Sequence, residues 1–214
     1  MEIVLKDIRV DDRLSDDSTC FSATMYIDGV RAGVARNDGN GGMTDYRSFD
    51  KQGKQLIKEA EEYCQGLPPF TAVGAGSNGE DVSVRMDLSI FIEDLLIKYL
   101  NEREGARFDK RLEKAMESSI VVGIPGKSFG GWKMKFPIEH YLSKEKWREI
   151  LKLTIENRVV PDLKPGEFIL NNNLPADFVA TLKVGADKLQ PAKKAQKEEF
   201  SREDQKEGRR RNKR

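Results

Sequence analysis

The chain has 214 residues, enough for one large domain or two small ones, and 38% of them are hydrophobic, which suffices for a core. Its two cysteines, Cys20 and Cys64, exclude a disulfide framework. No stretch approaches the ~18 consecutive apolar residues of a membrane-spanning helix. The first ten residues lack the basic and then apolar pattern of a secretory signal. We therefore expect a cytoplasmic protein that makes no membrane contact.

The charges are unevenly distributed along the chain. The 37 basic and 36 acidic residues nearly cancel. Residues 186–214, however, hold 11 basic and 6 acidic residues, a net charge of +5, which leaves −4 for the remainder. We expect any attraction to nucleic acid or to an acidic surface to come from this C-terminal tail.

Three strands are predicted near the N-terminus. Residues 2–10 are rich in Ile and Val, and residues 20–27 alternate between apolar and polar side chains, as a strand with one buried face does. Asp28-Gly29 separates this second strand from a third one at 30–35. An Asp-Gly pair between two such runs is a strong signal for a β-hairpin, because both residues tolerate positive φ.

A fourth strand and a helix complete the first predicted unit. The glycine-rich loop 37–42 leads to a strand at 43–49. One helical face then carries Leu56, Ile57, Ala60, Tyr63 and Cys64, and Gly66 with Pro68-Pro69 ends the helix. We expect a ββββα unit over residues 1–70, in which the helix covers one face of an antiparallel meander.

The second half predicts a longer helix and further mixed structure. Residues 71–80 are small and glycine-rich, which indicates a loop or linker. Apolar side chains at helical spacing from Leu88 to Leu100 predict a long amphipathic helix, with Gly105 as its end and a short second helix around 108–116.

Strands at 120–122, 132–136 and 168–170 are expected around a helix that Ser143 caps. The sequence therefore predicts an α+β fold. Its parts are the unit 1–70, a mixed helical and strand region at 81–184, and a basic tail at 185–214. The tail has almost no apolar residues, so we expect it to be disordered.

Two glycine-rich motifs fail the patterns that they suggest. Gly123–Ser128 ends in Gly-Lys-Ser, but Val121 stands where a phosphate-binding loop needs its first glycine, and no helix can begin at the following Phe-Gly-Gly. The loop 37–42 has Asp38 and Asn40 at calcium-loop spacing, but Phe49 stands where the EF-hand pattern needs Glu.

The same loop is nevertheless the best candidate for a recognition site in the body of the protein. Its three glycines allow another surface to approach the backbone closely. The candidate binding residues are Asn37, Asp38, Asn40, Asp45 and Tyr46.

No catalytic residue, metal ligand or cofactor is predicted. Asp162 and Glu167 partly match a nuclease pattern, but Ile169 occupies its lysine position. His140 is the only histidine, and it has no nucleophile with a recognisable motif. Aromatic and basic residues alternate from Trp132 to Phe136, which would suit nucleic acid if they shared a face; alternation favours a strand with one buried face instead.

The tail ends in five cations among its last six residues, Arg209, Arg210, Arg211, Lys213 and Arg214. Such runs bind nucleic acid or acidic partners through counterion release and long-range attraction. A purely solubilising role explains the same composition.

The N-terminal hairpin and glycine loop carry a resemblance. Tyr26-Ile-Asp-Gly29, then Ala35-Arg-Asn-Asp-Gly-Asn-Gly-Gly42, then Thr44-Asp-Tyr46 resembles a stretch of small, uncharacterised proteins of bacteriophages and bacterial mobile elements. The resemblance covers residues 1–66 and implies an origin, with no activity attached.

The sequence favours a non-enzymatic accessory or binding protein of phage or bacterial type, whose tail contacts nucleic acid or an acidic protein surface. Two alternatives stay open. One is a metal-dependent enzyme acting on nucleic acid or nucleotide. The other is an inhibitor of a host enzyme that uses the 37–46 loop. Nothing in the sequence sets the oligomeric state.

Overall fold

Residues 1–72 and 78–189 are described by the structure, which is a computed structural model. The predicted disorder of the tail therefore lies outside the described residues from 190 onwards, as do residues 73–77 of the predicted linker. Antiparallel sheets and helices both occur in the described ranges, and the predicted α+β class is confirmed.

The N-terminal sheet has four antiparallel strands in the order β1-β2-β3-β4, as the sequence predicts. The strands are β1 (Ile3–Val10), β2 (Phe21–Ile27), β3 (Val30–Asn37) and β4 (Asp45–Ser48). Asp28 and Gly29 both have positive φ, at 47° and 79°, which is the geometry of the predicted β2–β3 turn. Alternate residues of β2 are buried, so one face of the sheet is apolar.

Helix α1 (Lys51–Gln65) covers that apolar face. Asp50 caps it by accepting a 2.7 Å hydrogen bond from the Gly53 N–H. Ala60 and Cys64 are fully buried, whereas the side chain of Tyr63, predicted on the inner face, is 39% exposed. The ββββα arrangement is confirmed. The buried face of α1 is narrower than predicted, because it does not include Tyr63.

A short hairpin replaces part of the predicted linker. Strands β5 (Phe70–Ala72) and β6 (Val82–Val84) pair antiparallel. The prediction of loop throughout 71–80 is therefore wrong at residues 71 and 72. The pairing joins residues on both sides of the glycine-rich stretch, and a local pattern does not reveal such a contact.

Helix α2 (Leu88–Met116) is a single element of 29 residues. The prediction that Gly105 ends it is wrong, and so is the separate short helix at 108–116. A glycine inside a helix costs only about 1 kcal/mol, which the turns on both sides of Gly105 outweigh.

A second sheet with the order β8-β7-β9 follows α2. Its elements and the helices around it are β7 (Ser119–Ile124), β8 (Ser128–Lys133), α3 (Ile138–Leu142), α4 (Glu145–Thr154), a π-helical turn (Ile155–Val159), α5 (Val160–Asp162), β9 (Phe168–Ile169), α6 (Ala176–Val179) and a 3-10 turn (Ala186–Lys188). Ser143 does not cap α4; Lys144 occupies the cap position, and the Ser143 hydroxyl donates to the His140 carbonyl at 2.7 Å.

The contacts group the chain into two units, Met1–Arg103 and a second one that begins at Glu104. Each unit has its own buried apolar cluster. The predicted domain ranges, 1–70, 81–184 and 185–214, stay predictions. Within the described residues, no helix combines the length and the apolar character needed to cross a membrane.

Candidate functional sites: an acidic cavity and a basic aromatic cluster

The glycine loop of the first unit is held by Asn37, whose side chain is buried at 6% exposure. Its Oδ1 accepts hydrogen bonds from the Ser18 hydroxyl at 2.8 Å and the Gly39 N–H at 2.9 Å. Its Nδ2 donates to the Gly42 carbonyl at 2.7 Å. Asn37 was predicted as a binding residue, and these bonds give its side chain a role in shaping the loop.

Two cavities adjoin this loop and share Met43 and Asp45. The larger one, of about 540 Å³, is lined by Met43, Thr44, Asp45, Tyr46, Glu61, Gln65, Asp87, Leu88 and Ser89. The smaller one, of about 230 Å³, is lined by Arg36, Asn37, Asp38, Asn40, Gly42, Met43 and Asp45. Each of the five predicted loop residues thus lines one or both cavities.

The carboxylates of the larger cavity already have partners. Asp45 lies 3.6 Å from the Arg36 guanidinium and 3.2 Å from that of Arg47. Glu61 accepts a 2.9 Å hydrogen bond from the Tyr46 hydroxyl. Burial, and then this bond to Glu61, raise the pKa of Tyr46 far above its usual value. Tyr46 therefore stays a neutral donor over the physiological range.

Asp87 is the third carboxylate, and it caps α2 by accepting a 2.9 Å hydrogen bond from the Ile90 N–H. Burial, and then the negative charge of Asp87, raise the pKa of the Cys64 thiol to about 11. The walls of the cavity thus come from the loop, from α1 and from the start of α2. The spacing of these residues in the sequence does not predict that the three segments meet.

No group of three or more His, Cys, Asp or Glu side chains in the described ranges is arranged to hold a metal ion. The three cavity carboxylates form the ion pairs and hydrogen bonds described above.

The second unit carries a cluster of four rings, Phe136, His140, Tyr141 and Trp147. His140 lies 4.8 Å from Phe136 and 5.1 Å from Trp147 between ring centroids. Trp147 is also 5.7 Å from Tyr141, in an edge-to-face arrangement. The sequence singled out His140 and Phe136 separately. The cluster forms because α3 packs against α4, and Phe136 lies in the short segment that joins β8 to α3.

The exposure of the four rings is graded. Tyr141 is buried at 4% exposure, Phe136 and Trp147 are half-buried, and His140 is exposed. The predicted alternation of burial is confirmed, since Trp132 is half-buried and packs on the core whereas Lys133 is exposed. The predicted strand over 132–136 is wrong beyond Lys133, where β8 ends.

The charge differs between the two units. Met1–Arg103 holds 12 basic and 19 acidic residues, a net charge of −7, and residues 104–214 hold 25 basic and 17 acidic ones, a net charge of +8. Of these, residues 104–189 contribute 15 basic and 12 acidic residues, a net charge of +3. The body is therefore not uniformly acidic. The five tail cations, Arg209, Arg210, Arg211, Lys213 and Arg214, lie outside the described residues.

Comparison with protein-family models, curated proteins and solved structures finds no match for this chain. The resemblance of residues 1–66 to phage and mobile-element proteins therefore stays a prediction. The fold and the two sites define an α+β protein with an acidic cavity in its first unit and a basic aromatic surface in its second.

Proposed function

We propose that this chain is a non-enzymatic binding protein that contacts nucleic acid through the residues from Glu104 onwards. The observation that carries this proposal is the division of charge, −7 before that residue and +8 from it. A polyanion gains counterion-release free energy on the basic part and is repelled by the acidic part, so we expect it to bind to the residues from Glu104 onwards.

The lysines of the second unit are available for such contacts. Its exposed lysines include six from β7 onwards: Lys127, Lys133, Lys135, Lys144, Lys146 and Lys164. None of these six forms an ion pair with a described carboxylate. Exposed, unpaired ammonium groups can neutralise phosphates without first breaking an internal salt bridge.

The test is fluorescence anisotropy with a labelled 20-nucleotide strand at two salt concentrations. We expect the affinity to fall steeply with salt, and to fall less steeply when the five tail cations are replaced by Gln. A second variant ends after Leu189. This end point keeps Leu189, which bridges to Ile169 and packs on the core of the second unit. Truncation should weaken binding and reduce the salt slope.

The matched control replaces three exposed cations of the first unit, Lys51, Lys54 and Lys58, with Gln. This variant should retain the affinity and the salt slope. An absence of binding at low salt, or an equal loss in both variants, would refute the proposal.

A metal-dependent enzyme is the second candidate, supported by the position of Asp45, Glu61 and Asp87 in the lining of one cavity. Because no three described side chains of this kind are arranged to hold a metal ion, the ion would be held by one or two carboxylates together with a substrate phosphate. Its test is release of product from nucleic acid or nucleotides with Mg²⁺ or Mn²⁺. Activity must be abolished in Asp45→Asn and Glu61→Gln and retained in Asp38→Asn, a residue of the neighbouring cavity. Turnover that survives both cavity substitutions would remove this candidate.

The inhibitor hypothesis is supported by the exposed side chains of Asp38 and Asn40 beside Met43, which is 73% exposed. It predicts a partner protein, captured in the presence of nuclease, whose binding is lost on replacing Asp38 and Asn40 with Ala. A capture that these replacements leave unchanged would contradict it.

A further inference from the structure

We infer that the four-ring cluster of Phe136, His140, Tyr141 and Trp147 is a stacking site for the bases of single-stranded nucleic acid. The inference rests on the proposed function and assigns the site and the class of strand. Aromatic side chains beside cations are the recurring means by which proteins hold single strands, because every base has a face that can stack.

The first argument is the geometry of the rings. His140 is exposed, yet it lies within 5.1 Å of the Trp147 ring centroid, and Phe136 and Trp147 keep part of their surface accessible. Tyr141 lies beneath them at 4% exposure and fixes their positions through ring contacts of 5.7–6.3 Å. An aromatic surface that is already packed loses little conformational entropy when a base stacks on it.

The second argument is how firmly the cluster is held. The Ile138 N–H donates a 2.8 Å hydrogen bond to the Glu117 carbonyl, which ties the start of α3 to the segment before β7. The backbone N–H of Trp147 donates to the Lys144 carbonyl at 3.0 Å in the first turn of α4. These bonds hold the backbone at the start of α3, which carries His140 and Tyr141, and in the first turn of α4, which carries Trp147.

The third argument is charge complementarity. Residues 133–148 hold five Lys or Arg and two Glu, a net charge of +3. The Lys135 ammonium lies 5.5 Å from the Phe136 ring centroid, and Lys144 and Lys146 are exposed on either side of Glu145, close to Trp147 in the chain. A strand stacked on the rings would place its phosphates near these ammonium groups.

The geometry favours a single strand over a duplex. A base can stack on a protein ring only where its face is free, and in a duplex both faces are covered by neighbouring base pairs. The rings do not distinguish DNA from RNA, so the experiment includes both.

The test uses the full chain and its two tryptophans as reporters. In Trp132→Phe, Trp147 is the remaining reporter, and we expect its emission to be quenched on titration with dT20 or rU20. In Trp147→Phe, the remaining Trp132 reports from β8, and we expect little quenching. Polyglutamate, which has the charge and no bases, should not quench either variant.

Affinity provides the second measurement. His140→Ala removes an exposed ring and should weaken single-strand binding by roughly fivefold or more; Asn172→Ala, an exposed residue of the same unit, should leave it unchanged. A 20-base-pair duplex should bind more weakly than the single strand, with no effect of His140→Ala.

The outcomes separate this inference from the proposed function. If the chain binds no nucleic acid, both fail. If it binds with the expected salt dependence but Trp147 is not quenched and His140→Ala has no effect, the stacking site is refuted and the charge-driven binding stands. Equal binding of polyglutamate and dT20 would also refute stacking.

Discussion

The side-chain oxygen of Asn171 accepts a 2.6 Å hydrogen bond from the backbone N–H of Val121, fifty positions earlier in the chain. Its amide nitrogen donates to the Ser119 carbonyl at 3.1 Å. Strand β9 ends at Ile169, and the Leu170 N–H still bonds to the Val121 carbonyl at 2.8 Å. The Asn171 amide therefore continues the pairing with β7 beyond the end of the strand.

Asn171→Ala should lower the free energy of unfolding by about 2 kcal/mol, because Val121 is fully buried and its N–H would lose its partner. Urea denaturation measures the difference. The neighbouring Asn172 is exposed, and Asn172→Ala should stay within about 0.5 kcal/mol of the parent. Equal stability of the two variants would contradict the role given to Asn171.

Two helical glycines predict opposite effects of one substitution. A Cβ added at Gly105 would meet nothing within 4 Å, so Gly105→Ala should raise the free energy of unfolding by about 0.5–1 kcal/mol through helix propensity. A Cβ at Gly53 would lie 2.0 Å from the Ala32 carbonyl oxygen. Gly53→Ala should therefore lower stability by about 1–3 kcal/mol, since α1 must move away from β3.

Thermal or urea unfolding of both glycine variants checks this prediction. Because the same methyl group is added to a helix in each case, the difference in sign reports the local packing alone. Destabilisation by Gly105→Ala would indicate that α2 is not continuous through that position.

The parts of the fold that the sequence predicts correctly depend on neighbouring residues. The β2–β3 hairpin follows from Asp28-Gly29, and the face of α1 follows from a repeat within fifteen positions. The wrong predictions are of two kinds: one local preference is outweighed by its neighbours, and one contact joins residues that are distant in the sequence. Gly105 was expected to end a helix whose flanking turns outweigh its cost, and the β5–β6 pair joins residues separated by the glycine-rich stretch.

The candidate sites show the same division. The sequence locates the 37–46 loop, but two acidic walls of its cavity, Glu61 and Asp87, come from separate helices. The aromatic cluster combines the chain after β8 with residues of α3 and α4, and only the turns between them bring Phe136 within 5.8 Å of Trp147. Residue spacing contains no direct signal for such turns.

The shape of the loop is expected to depend on Gly39. Its φ is +88°, and an added Cβ would lie 2.0 Å from the Leu14 carbonyl oxygen. Gly39→Ala should therefore lower stability by about 1–3 kcal/mol. Gly42 has open space around an added Cβ, so Gly42→Ala should have little effect. Chemical denaturation compares the two, and equal losses would refute the close approach.

The two thiols should react with alkylating reagents at different rates. Cys64 is fully buried and its pKa is raised to about 11, so little thiolate is present near neutral pH. Cys20 is only partly buried. At pH 8 we expect one fast-reacting thiol per native chain. Fast labelling should disappear in Cys20→Ser and persist in Cys64→Ala; the reverse pattern, scored by intact mass, would overturn the assignment.

Tyr46 should make stability sensitive to alkaline pH. Its pKa is raised from a usual value of 10.0, first by burial and then by Glu61. Below pH 10 both states keep the proton, and the hydrogen bond to Glu61 stabilises the fold by roughly 1 kcal/mol. Above pH 10 the Tyr46 phenol ionises in the unfolded chain but stays neutral in the native state, so the free energy of unfolding falls as pH rises.

Tyr46→Phe should therefore be less stable than the parent at pH 8, and the difference in the free energy of unfolding should narrow towards pH 11. Urea titrations across that range measure it; a constant gap would refute the raised pKa, because the ionisation of Cys64 is common to both proteins and cancels.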